Sequence, residues 1–289
     1  MARVNERTMS LTTDQQLRES YERLRGLLRE MRSTVVAFSA GVDSTLLLKI
    51  ALDVLGREQV LAATGVSPSL PRRELESVQQ LAAILDAPLE LIGTEELNNP
   101  NYSANPANRC YYCKTELYTR LTALARQRGF EVVVNGVNAD DLRDWRPGVQ
   151  AAREWNVRAP LLEAGMTKGY VRVLARELGL PNWDKPALAC LSSRVPYGTP
   201  VTVGVLSQIE QAEAFLYERG MSNFRVRHHQ KVARIEASPG DMRRLLEEPL
   251  REEVITAFKK LGYTYIALDL QGFRTGSGNE VLPGRSGKE

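Results

Sequence analysis

The spacing of hydrophobic residues over the first two thirds of the chain predicts helices that alternate with strands. Leu17, Tyr21, Leu24 and Leu28 recur at helical spacing, which predicts a helix over 13–31. The next apolar run is short and rich in β-branched residues, as is typical of a buried parallel strand. The alternation continues with strands predicted over 35–38, 59–64, 89–92 and 132–135, and helices over 46–55, 71–85, 114–128 and 167–178. This order is typical of the α/β class, in which helices cover a parallel sheet.

The pattern changes after residue 200, which predicts a second, smaller domain of the α+β type. Apolar and polar residues alternate over 224–226 and 232–235, as in a hairpin. Helices are predicted over 205–220 and over 241–261, with a break at Pro249, followed by a strand over 263–268. We therefore predict a flexible leader over 1–12, a parallel-sheet domain over 13–200, a small α+β domain over 201–275 and a disordered tail over 276–289.

The composition is that of an ordinary globular protein, with 289 residues of which 43% are hydrophobic and 25% charged. Such a chain can bury a large core without disulfides. Its 38 lysines and arginines against 35 aspartates and glutamates leave a net charge of +3, which argues against nucleic acid as a partner, so any anion site must be local. The chain has no apolar run that could cross a bilayer and no apolar signal segment at its N-terminus. We therefore expect a cytoplasmic protein without a membrane partner.

The sharpest local feature is the segment SAGVDS, between a predicted buried strand and an apolar helix. Its small residues let the backbone turn tightly, and its N–H groups with the helix N-terminus predict an anion nest. The predicted nucleotide ligands are Ser39, Ala40, Gly41, Val42, Asp43 and Ser44. An aspartate beside a polyanion indicates Mg²⁺ shared between Asp43 and phosphate oxygens. The alternative is a strand-to-helix turn in which serine and aspartate only cap the helix.

Three cysteines are an odd number for a disulfide framework. Cys110 and Cys113 form a C-x-x-C motif, which occurs in redox pairs, zinc sites and iron–sulfur sites. A zinc site normally has four ligands, and His228 and His229 lie far away in the predicted second domain. Together with Cys190, three thiolates fit a [4Fe–4S] cluster that keeps one iron open for an exogenous ligand such as hydrosulfide. Incidental thiols are the alternative.

Polar residues follow the fourth predicted strand, at the carboxyl edge where parallel sheets bind ligands. Asn135 and Gly136 are expected to approach a nucleotide through the backbone. Asp140, Asp141 and Asp144 could bind Mg²⁺ or orient basic side chains, and the alternative is that they cap a helix.

Seven motifs follow one another along the chain. They are SAGVDST, SPSLPRREL, NPNYSANPANRCYYCKTELY, NGVNADDLRDWRPG, APLLEAGMTK, NWDKPALACLSSRVPYGTP and RVRHH. Together they closely resemble the LarE family, the ATP-dependent sulfur transferases of nickel-pincer nucleotide cofactor biosynthesis, over about residues 20–275. The first motif also resembles the SGGxDS signature of the N-type ATP pyrophosphatases, or PP-loop enzymes, with Ala40 in place of the second glycine. The resemblance implies their parallel-sheet fold.

The resemblance implies a reaction and its cofactors. The carboxylates of pyridinium-3,5-biscarboxylic acid mononucleotide are adenylated with ATP and Mg²⁺, and a sulfur nucleophile displaces AMP to leave thiocarboxylates. Single-cysteine members of the family sacrifice their own sulfur, whereas members with C-x-x-C and a third cysteine resemble enzymes that depend on a [4Fe–4S] cluster. Cys110, Cys113 and Cys190 place the chain with the second group, which takes sulfide or another sulfur donor. A homohexamer is also implied.

The same resemblance implies roles for residues near and within the second domain. Arg194, Arg225 and Arg227 are expected to bind the substrate phosphate, and Glu213 is expected to lie close to the active site. Arginine offers phosphate a bidentate fork, and Arg225 and Arg227 share one face if they lie in a strand. A solvated basic strand face and a solvated helix carboxylate are the alternatives.

Two other functions remain as alternatives. A tRNA thiolation enzyme can also combine a PP-loop, C-x-x-C, a third cysteine and a cluster, but the small net charge and the lack of a basic aromatic platform argue against RNA. A non-catalytic nucleotide- or cluster-binding partner protein is the second alternative. The presence of the loop residues and of all three cysteines argues against a protein that has lost catalytic activity.

Overall fold

The computed structural model describes residues 15–143, 147–186 and 189–282. The chain forms two compact units. The first unit takes its described residues from 1–67, 72–95 and 110–188, and the second takes them from 68–71, 96–109 and 189–289. In the described ranges, no helix has both the length and the apolar character that a membrane span requires.

The first unit is built on four parallel strands in the order β3-β2-β1-β4. They are β1 (Thr34–Ala37), β2 (Val60–Val66), β3 (Leu89–Gly93) and β4 (Val132–Val134). The central strand β1 pairs with β2 on one side and with β4 on the other, so that Val35 lies between Leu61 and Val133. This topology confirms the α/β prediction.

Seven helices accompany this sheet in the described part of the first unit. They are α1 (Gln15–Met31), α2 (Val42–Leu55), α3 (Arg72–Ile84), α5 (Arg109–Arg128), α6 (Pro147–Glu154), α7 (Pro160–Glu163) and α8 (Lys168–Glu177); the short helix α4 (Pro100–Ser103) belongs to the second unit. Successive strand side chains point to opposite faces, so Val36 and Val35 join different cores. Val36 lies in the same core as side chains of α1, α2 and α8, and Val35 lies in the same core as side chains of α5 and α6.

The second unit contains the strands β5 (Phe224–His229), β6 (Val232–Ala237) and β7 (Tyr265–Leu268). β5 and β6 pair antiparallel, which confirms the predicted hairpin, and β7 pairs parallel to β6. The helices α9 (Val203–Glu218), α10 (Pro239–Leu246) and α11 (Leu250–Lys260) accompany them, and the gap between the last two confirms the predicted break at Pro249. Phe224, Val226 and Phe258 lie in the core of this unit.

Helix α5 begins earlier than the sequence predicts. It starts at Arg109 and not near Lys114, so both cysteines of the C-x-x-C motif lie within the helix and not before it. The helix start was missed because the side chains from Cys110 to Lys114 are at least partly exposed and carry no apolar periodicity.

The compact units also divide the chain differently from the predicted boundary at residue 200. Residues 189–200 belong to the second unit because they bond within it: the Leu191 N–H donates to the Ser69 carbonyl at 2.9 Å, and Arg194 pairs with Glu213 of α9. The start of the predicted disordered tail is wrong, since Ser277–Asn279 form a 3₁₀ helix with Ser277 buried. The predicted leader and the end of the tail, 283–289, lie outside the described residues.

Helix α1 is expected to contribute strongly to stability through its buried face. Leu28 of α1 is 0% exposed in the first core, so Leu28→Ala removes apolar contacts and leaves a cavity. We expect the free energy of unfolding to fall by about 2–5 kcal/mol. The control Ile84→Ala, at a site that is 64% exposed, is expected to change it by about 0.5 kcal/mol or less. Urea unfolding followed by circular dichroism measures both, and equal midpoints would contradict the assigned packing.

Candidate active site

The loop between β1 and α2 folds back on itself through its serines. The Ser39 N–H donates to Ser44 Oγ at 3.3 Å, the two hydroxyl oxygens lie 3.2 Å apart, and Ser44 Oγ donates to the Gly41 carbonyl at 3.2 Å. Helix α2 begins at Val42, and Gly41 before it supplies no side-chain cap. The geometry of the loop suits an anion at the helix N-terminus. A turn capped by serine and aspartate stays the alternative, since Asp43 accepts a hydrogen bond from its own N–H.

Gly136 brings the segment after β4 against this loop. A Cβ atom at Gly136 would lie 2.9 Å from the Ser44 nitrogen and 3.1 Å from its Cα. Real side chains do not approach backbone atoms so closely, so only glycine allows the two segments to meet here. The structure thus brings Gly136 together with the loop, as the sequence predicts for a residue at the carboxyl edge of β4.

Asp43 stands in a cluster of polar residues in the first unit. Asn138 Nδ2 donates to Asp43 Oδ1 at 2.8 Å, and the Asn138 N–H donates to Asp141 Oδ2 at 3.1 Å. Lys168 Nζ lies 3.3 Å from Asp141 Oδ1, and the Lys168 N–H donates to Asp140 Oδ2 at 2.7 Å. The structure therefore joins Asp43 and Asp141 through one asparagine, while the predicted residue Asp144 lies outside the described residues.

The electrostatics of this cluster fit a divalent cation. Burial raises the pKa of Asp43, the negative charge of Asp141 raises it further, and Asn138 and Lys168 only partly oppose this. A cation beside the carboxylate would offset the cost of burying its charge. In the described part of the chain, no group of three His, Cys, Asp or Glu stands together as a metal site. Mg²⁺ at Asp43 would therefore take most of its ligands from phosphate oxygens and water, as is usual for this ion.

The three cysteines occupy accessible positions in the described structure. Cys110 is exposed in the first turn of α5 and Cys113 is partly exposed one turn later, so the two thiols share one side of the helix. Cys190 is exposed and directly precedes the 3₁₀ helix Leu191–Arg194. Accessible thiols of this kind fit the ligand set of an iron–sulfur cluster. The convergence of all three on one cluster stays a prediction.

The main chain at Cys190 is held by its neighbours. The Cys190 carbonyl accepts from the Ser193 N–H at 3.0 Å, from Ser193 Oγ at 2.8 Å and from Arg194 Nη1 at 3.0 Å. The Arg194 side chain is 1% exposed, and its Nε and Nη2 donate to the two carboxylate oxygens of Glu213 at 2.9 and 3.0 Å. Arg194 thus donates from all three of its nitrogens to groups within the protein, and its expected contact with the substrate phosphate stays a prediction.

Glu213 is held as an anion in this buried pair. Burial acts to raise its pKa, but the charge and hydrogen bonds of Arg194, the N–H of Val226 and the charge of Arg225 outweigh it, so the pKa of Glu213 is lowered. Its lowered pKa and its pairing argue against a role as a proton donor at neutral pH. The alternative of a solvated helix carboxylate is wrong, since Glu213 is 5% exposed.

Arg225 and Arg227 share one face of β5, as the sequence predicts, and both are buried. Arg227 donates through Nε and Nη2 to Glu236 at 2.9 Å each, and through Nη1 to the Ser193 carbonyl at 2.7 Å. The guanidinium of Arg225 lies 4.9 Å from the Phe273 ring centroid. The alternative of a solvated basic face is therefore wrong.

A third arginine lies beside this face. Arg234 of β6 forms ion pairs with Glu236 and Asp269, and Glu236 also pairs with Arg227. The charge of Arg225 acts on the buried Glu213. Several guanidinium groups therefore stand close together here, a grouping that suits an anionic ligand.

Three residues of the site were not singled out from the sequence. Asn138 contacts Asp43, and both Asn182 and Lys185 hydrogen-bond the carbonyl of Ala40 in the loop. Each lies inside one of the motifs that carry the family resemblance, which was the available signal. The three residues have no characteristic spacing from the loop in the sequence, so their contacts with it could be identified only in the structure.

Comparison with known proteins gives three relatives of similar length. An uncharacterised protein of Synechocystis sp. is 46% identical over 92% of this chain and 99% of its own. The pyridinium-3,5-bisthiocarboxylic acid mononucleotide synthase of Lactiplantibacillus plantarum is 38% identical over 88% of this chain and 92% of its own. An uncharacterised protein of Methanocaldococcus jannaschii is 28% identical over 84% and 92%, respectively. No family model matches the chain.

The buried charge of Asp43 is expected to cost stability at neutral pH. The folded state raises the pKa of Asp43, so the protonated side chain contributes to the free energy of unfolding. This contribution is fully present below the ordinary aspartate pKa and is lost as the pH rises through the raised pKa. Asp43→Asn removes the charge and keeps an acceptor for Asn138, so we expect a higher melting temperature than wild type at pH 7 without nucleotide. The difference should shrink as the pH falls toward about 4.

The control for this measurement is Asp86→Asn, because the side chain of Asp86 is 87% exposed. It is expected to leave the melting temperature nearly unchanged at both pH values. An Asp43→Asn variant that melts below wild type at pH 7 would show that the carboxylate is well compensated by its neighbours.

Proposed function

This chain belongs to the LarE family, the ATP-dependent sulfur transferases of nickel-pincer nucleotide biosynthesis, and we propose how its residues divide the reaction. The loop Ser39–Ser44 binds the phosphates of ATP, and Asp43 holds Mg²⁺ there. The substrate is pyridinium-3,5-biscarboxylic acid mononucleotide. The product carries thiocarboxylates, as the name of the Lactiplantibacillus relative states for that protein.

The observation that carries the proposal is the junction of the loop, Gly136 and the Asp43 cluster. The uncapped start of α2 offers N–H groups to an anion, and no Cβ fills the contact between Gly136 and Ser44. The half-buried Asp43, with its raised pKa, supplies the carboxylate that a phosphate-bound Mg²⁺ requires. These features together support a nucleotide site at the carboxyl edge of the sheet.

The loop assists the first chemical step by stabilising charge. A substrate carboxylate oxygen attacks the α-phosphorus of ATP, its bond to pyrophosphate breaks, and an acyl adenylate results. Negative charge develops on the departing pyrophosphate, where the N–H groups of the loop and the helix N-terminus stabilise it. Adenylation replaces an unreactive carboxylate by an acyl group whose leaving group is AMP.

The cysteines would position the sulfur donor of the second step. Cys110, Cys113 and Cys190 would hold a [4Fe–4S] cluster, and that group, when bound, offers one iron to an exogenous hydrosulfide. The sulfur nucleophile attacks the acyl carbon, the bond to AMP breaks, and a thiocarboxylate remains. Ser193 and Arg194 hold the main chain at Cys190 through hydrogen bonds to its carbonyl, which limits the movement of this proposed cluster ligand.

The substrate phosphate is assigned to Arg194, Arg225 and Arg227, of which Arg225 and Arg227 share one face of β5. The grouping of Arg225 and Arg227 on one face of β5, with Arg234 of β6 opposite Arg227, supports the assignment. Ion pairs with Glu236 keep the guanidinium of Arg227 in one orientation, so little rotamer entropy remains to be lost when an anion binds.

Two variants are expected to separate the nucleotide site from the substrate site. Asp43→Ala should abolish substrate-dependent pyrophosphate release because the Mg²⁺ ligand is lost. Arg225→Ala should raise the KM for the pyridinium substrate by roughly ten- to hundredfold, because a charge-assisted hydrogen bond to phosphate is lost, while the KM for ATP stays near that of wild type.

Pyrophosphate release measured with the pyridinium substrate and with tRNA tests both the variants and the proposed function. Release that depends on tRNA and not on the pyridinium substrate would assign the chain to tRNA thiolation. Equal changes in both KM values for Arg225→Ala would contradict the phosphate assignment.

The sulfur source is tested by iron content together with turnover. After anaerobic reconstitution, wild type is expected to carry about four iron per chain and to form thiocarboxylate repeatedly when sulfide is supplied. Each of Cys110→Ala, Cys113→Ala and Cys190→Ala should lose iron and multiple turnover together, whereas Thr119→Ala, at an exposed position of α5, should retain both because it removes no thiolate.

Two results would overturn the cluster assignment. One is full iron content in the cysteine variants. The other is a wild type that stops after one turnover with Cys190 converted to dehydroalanine, which mass spectrometry detects as the loss of the cysteine sulfur.

A further inference from the structure

Ala40 has a left-handed backbone conformation, which is energetically unfavourable for alanine. Its φ is +55° and its side chain is 0% exposed, whereas the PP-loop signature has glycine at this position. In the left-handed region the Cβ of an L-residue approaches the following carbonyl oxygen, and glycine alone escapes this crowding. An alanine therefore stays in this conformation only where neighbouring groups hold it there.

Two side chains from the segment after α8 hold the carbonyl of Ala40. Asn182 Nδ2 donates to it at 3.1 Å and also donates to Thr45 Oγ1 at 3.0 Å. Lys185 Nζ donates to the same carbonyl at 3.3 Å and pairs with Glu74 of α3 at 2.9 Å. All five residues belong to the first unit, so one carbonyl of the loop is linked to both α2 and α3.

Only the amide nitrogen of the Asn182 side chain forms hydrogen bonds among the described residues. Asn182 is 8% exposed, and its Oδ1 is buried without a hydrogen-bond partner among the described residues. A buried, unsatisfied oxygen costs stability. If this side chain only filled space, an apolar residue would avoid that cost. The two hydrogen bonds that Asn182 donates therefore indicate a specific role.

The anchored carbonyl also sets the direction of an N–H group in the loop. The Ala40 carbonyl and the Gly41 N–H belong to one planar, trans peptide unit and point in opposite directions. When Asn182 and Lys185 hold the oxygen on one side, the Gly41 N–H is directed to the other side. Rotation of this peptide would replace a donor of the nest by a carbonyl oxygen, which repels phosphate.

We propose that Asn182 and Lys185 are positioning residues of the phosphate loop, which hold the Ala40 peptide so that the Gly41 N–H faces the phosphates of ATP. The assignment rests on the proposed nucleotide site at this loop. Neither residue needs to touch ATP for this role. They act by holding the Ala40 peptide. Their effect on ATP binding is expected to be larger with alanine than with glycine at residue 40, because only alanine resists the left-handed conformation.

The variants Asn182→Asp and Lys185→Met test the two anchors separately. Aspartate has the shape of asparagine, but its carboxylate cannot donate to the Ala40 carbonyl, and methionine keeps the length of lysine without its N–H donors. Each is expected to raise the KM for ATP by roughly five- to thirtyfold, the factor that corresponds to the cost of a left-handed alanine. The KM for the pyridinium substrate should stay near that of wild type. Asp184→Asn, at an exposed position of the same segment, is the control.

The second measurement places the same substitutions in an Ala40→Gly background. Glycine adopts the left-handed conformation without penalty, so the increase in the KM for ATP caused by Asn182→Asp should be about fivefold smaller there. A residue that only supports the fold would have the same effect in both backgrounds. This comparison stays informative if Asn182→Asp lowers the melting temperature, since the coupling to residue 40 is measured on folded protein.

The results distinguish this proposal from the one on which it rests. If Asp43→Ala abolishes pyrophosphate release while Asn182→Asp and Lys185→Met keep the wild-type KM for ATP, the loop binds the nucleotide and the positioning role is wrong. Equal effects in the alanine and glycine backgrounds would also overturn it. If Asp43→Ala retains pyrophosphate release, the nucleotide site itself is wrongly assigned.

Discussion

Parallel pairing of β1 with β4 is the constraint on which the candidate site depends. Val36 lies opposite Val134 in this register, so both strands end at the same edge of the sheet. The loop after β1 and the segment after β4 therefore leave the sheet side by side. Gly136 can then meet Ser44, and Asn138 can reach Asp43, only because of this shared edge. A slip of one residue would reverse the faces of the strand and separate these groups.

Buried carboxylates in this protein are compensated in two different ways. Glu213 and Glu236 each receive a bidentate arginine, and these pairs need no further cation. Burial raises the pKa of Asp43, and the nearby charge of Asp141 raises it further, although Asn138 and the N–H of Asp43 itself donate hydrogen bonds to the carboxylate. A buried carboxylate whose charge is only partly compensated is expected at a site that binds a metal ion. A carboxylate that is fully paired with arginine is expected to have a structural role.

Several elements could be predicted from the sequence because their signals are local. Periodicity over one or two turns revealed most helices, and alternation revealed the β5–β6 hairpin. The start of α5 was missed because its first turn lacks apolar spacing. The sequence predicts a disordered tail that includes Ser277 because chain ends are commonly poorly ordered, yet Ser277 donates to the buried Glu236. A hydrogen bond to a residue 41 positions away leaves no trace in the local pattern.

The fold class, the family and the residue types available for chemistry could be predicted from the sequence alone, because each depends on motifs whose residues are contiguous in the chain. The partner of each charge could be identified only from the packed structure. Arg194 pairs with Glu213 at a separation of 19 positions, Asn138 reaches Asp43 across 95, and Lys185 reaches Glu74 across 111. Such pairs exist only after the strands and helices have packed, since packing sets the distances and the burial that make one partner favourable over another.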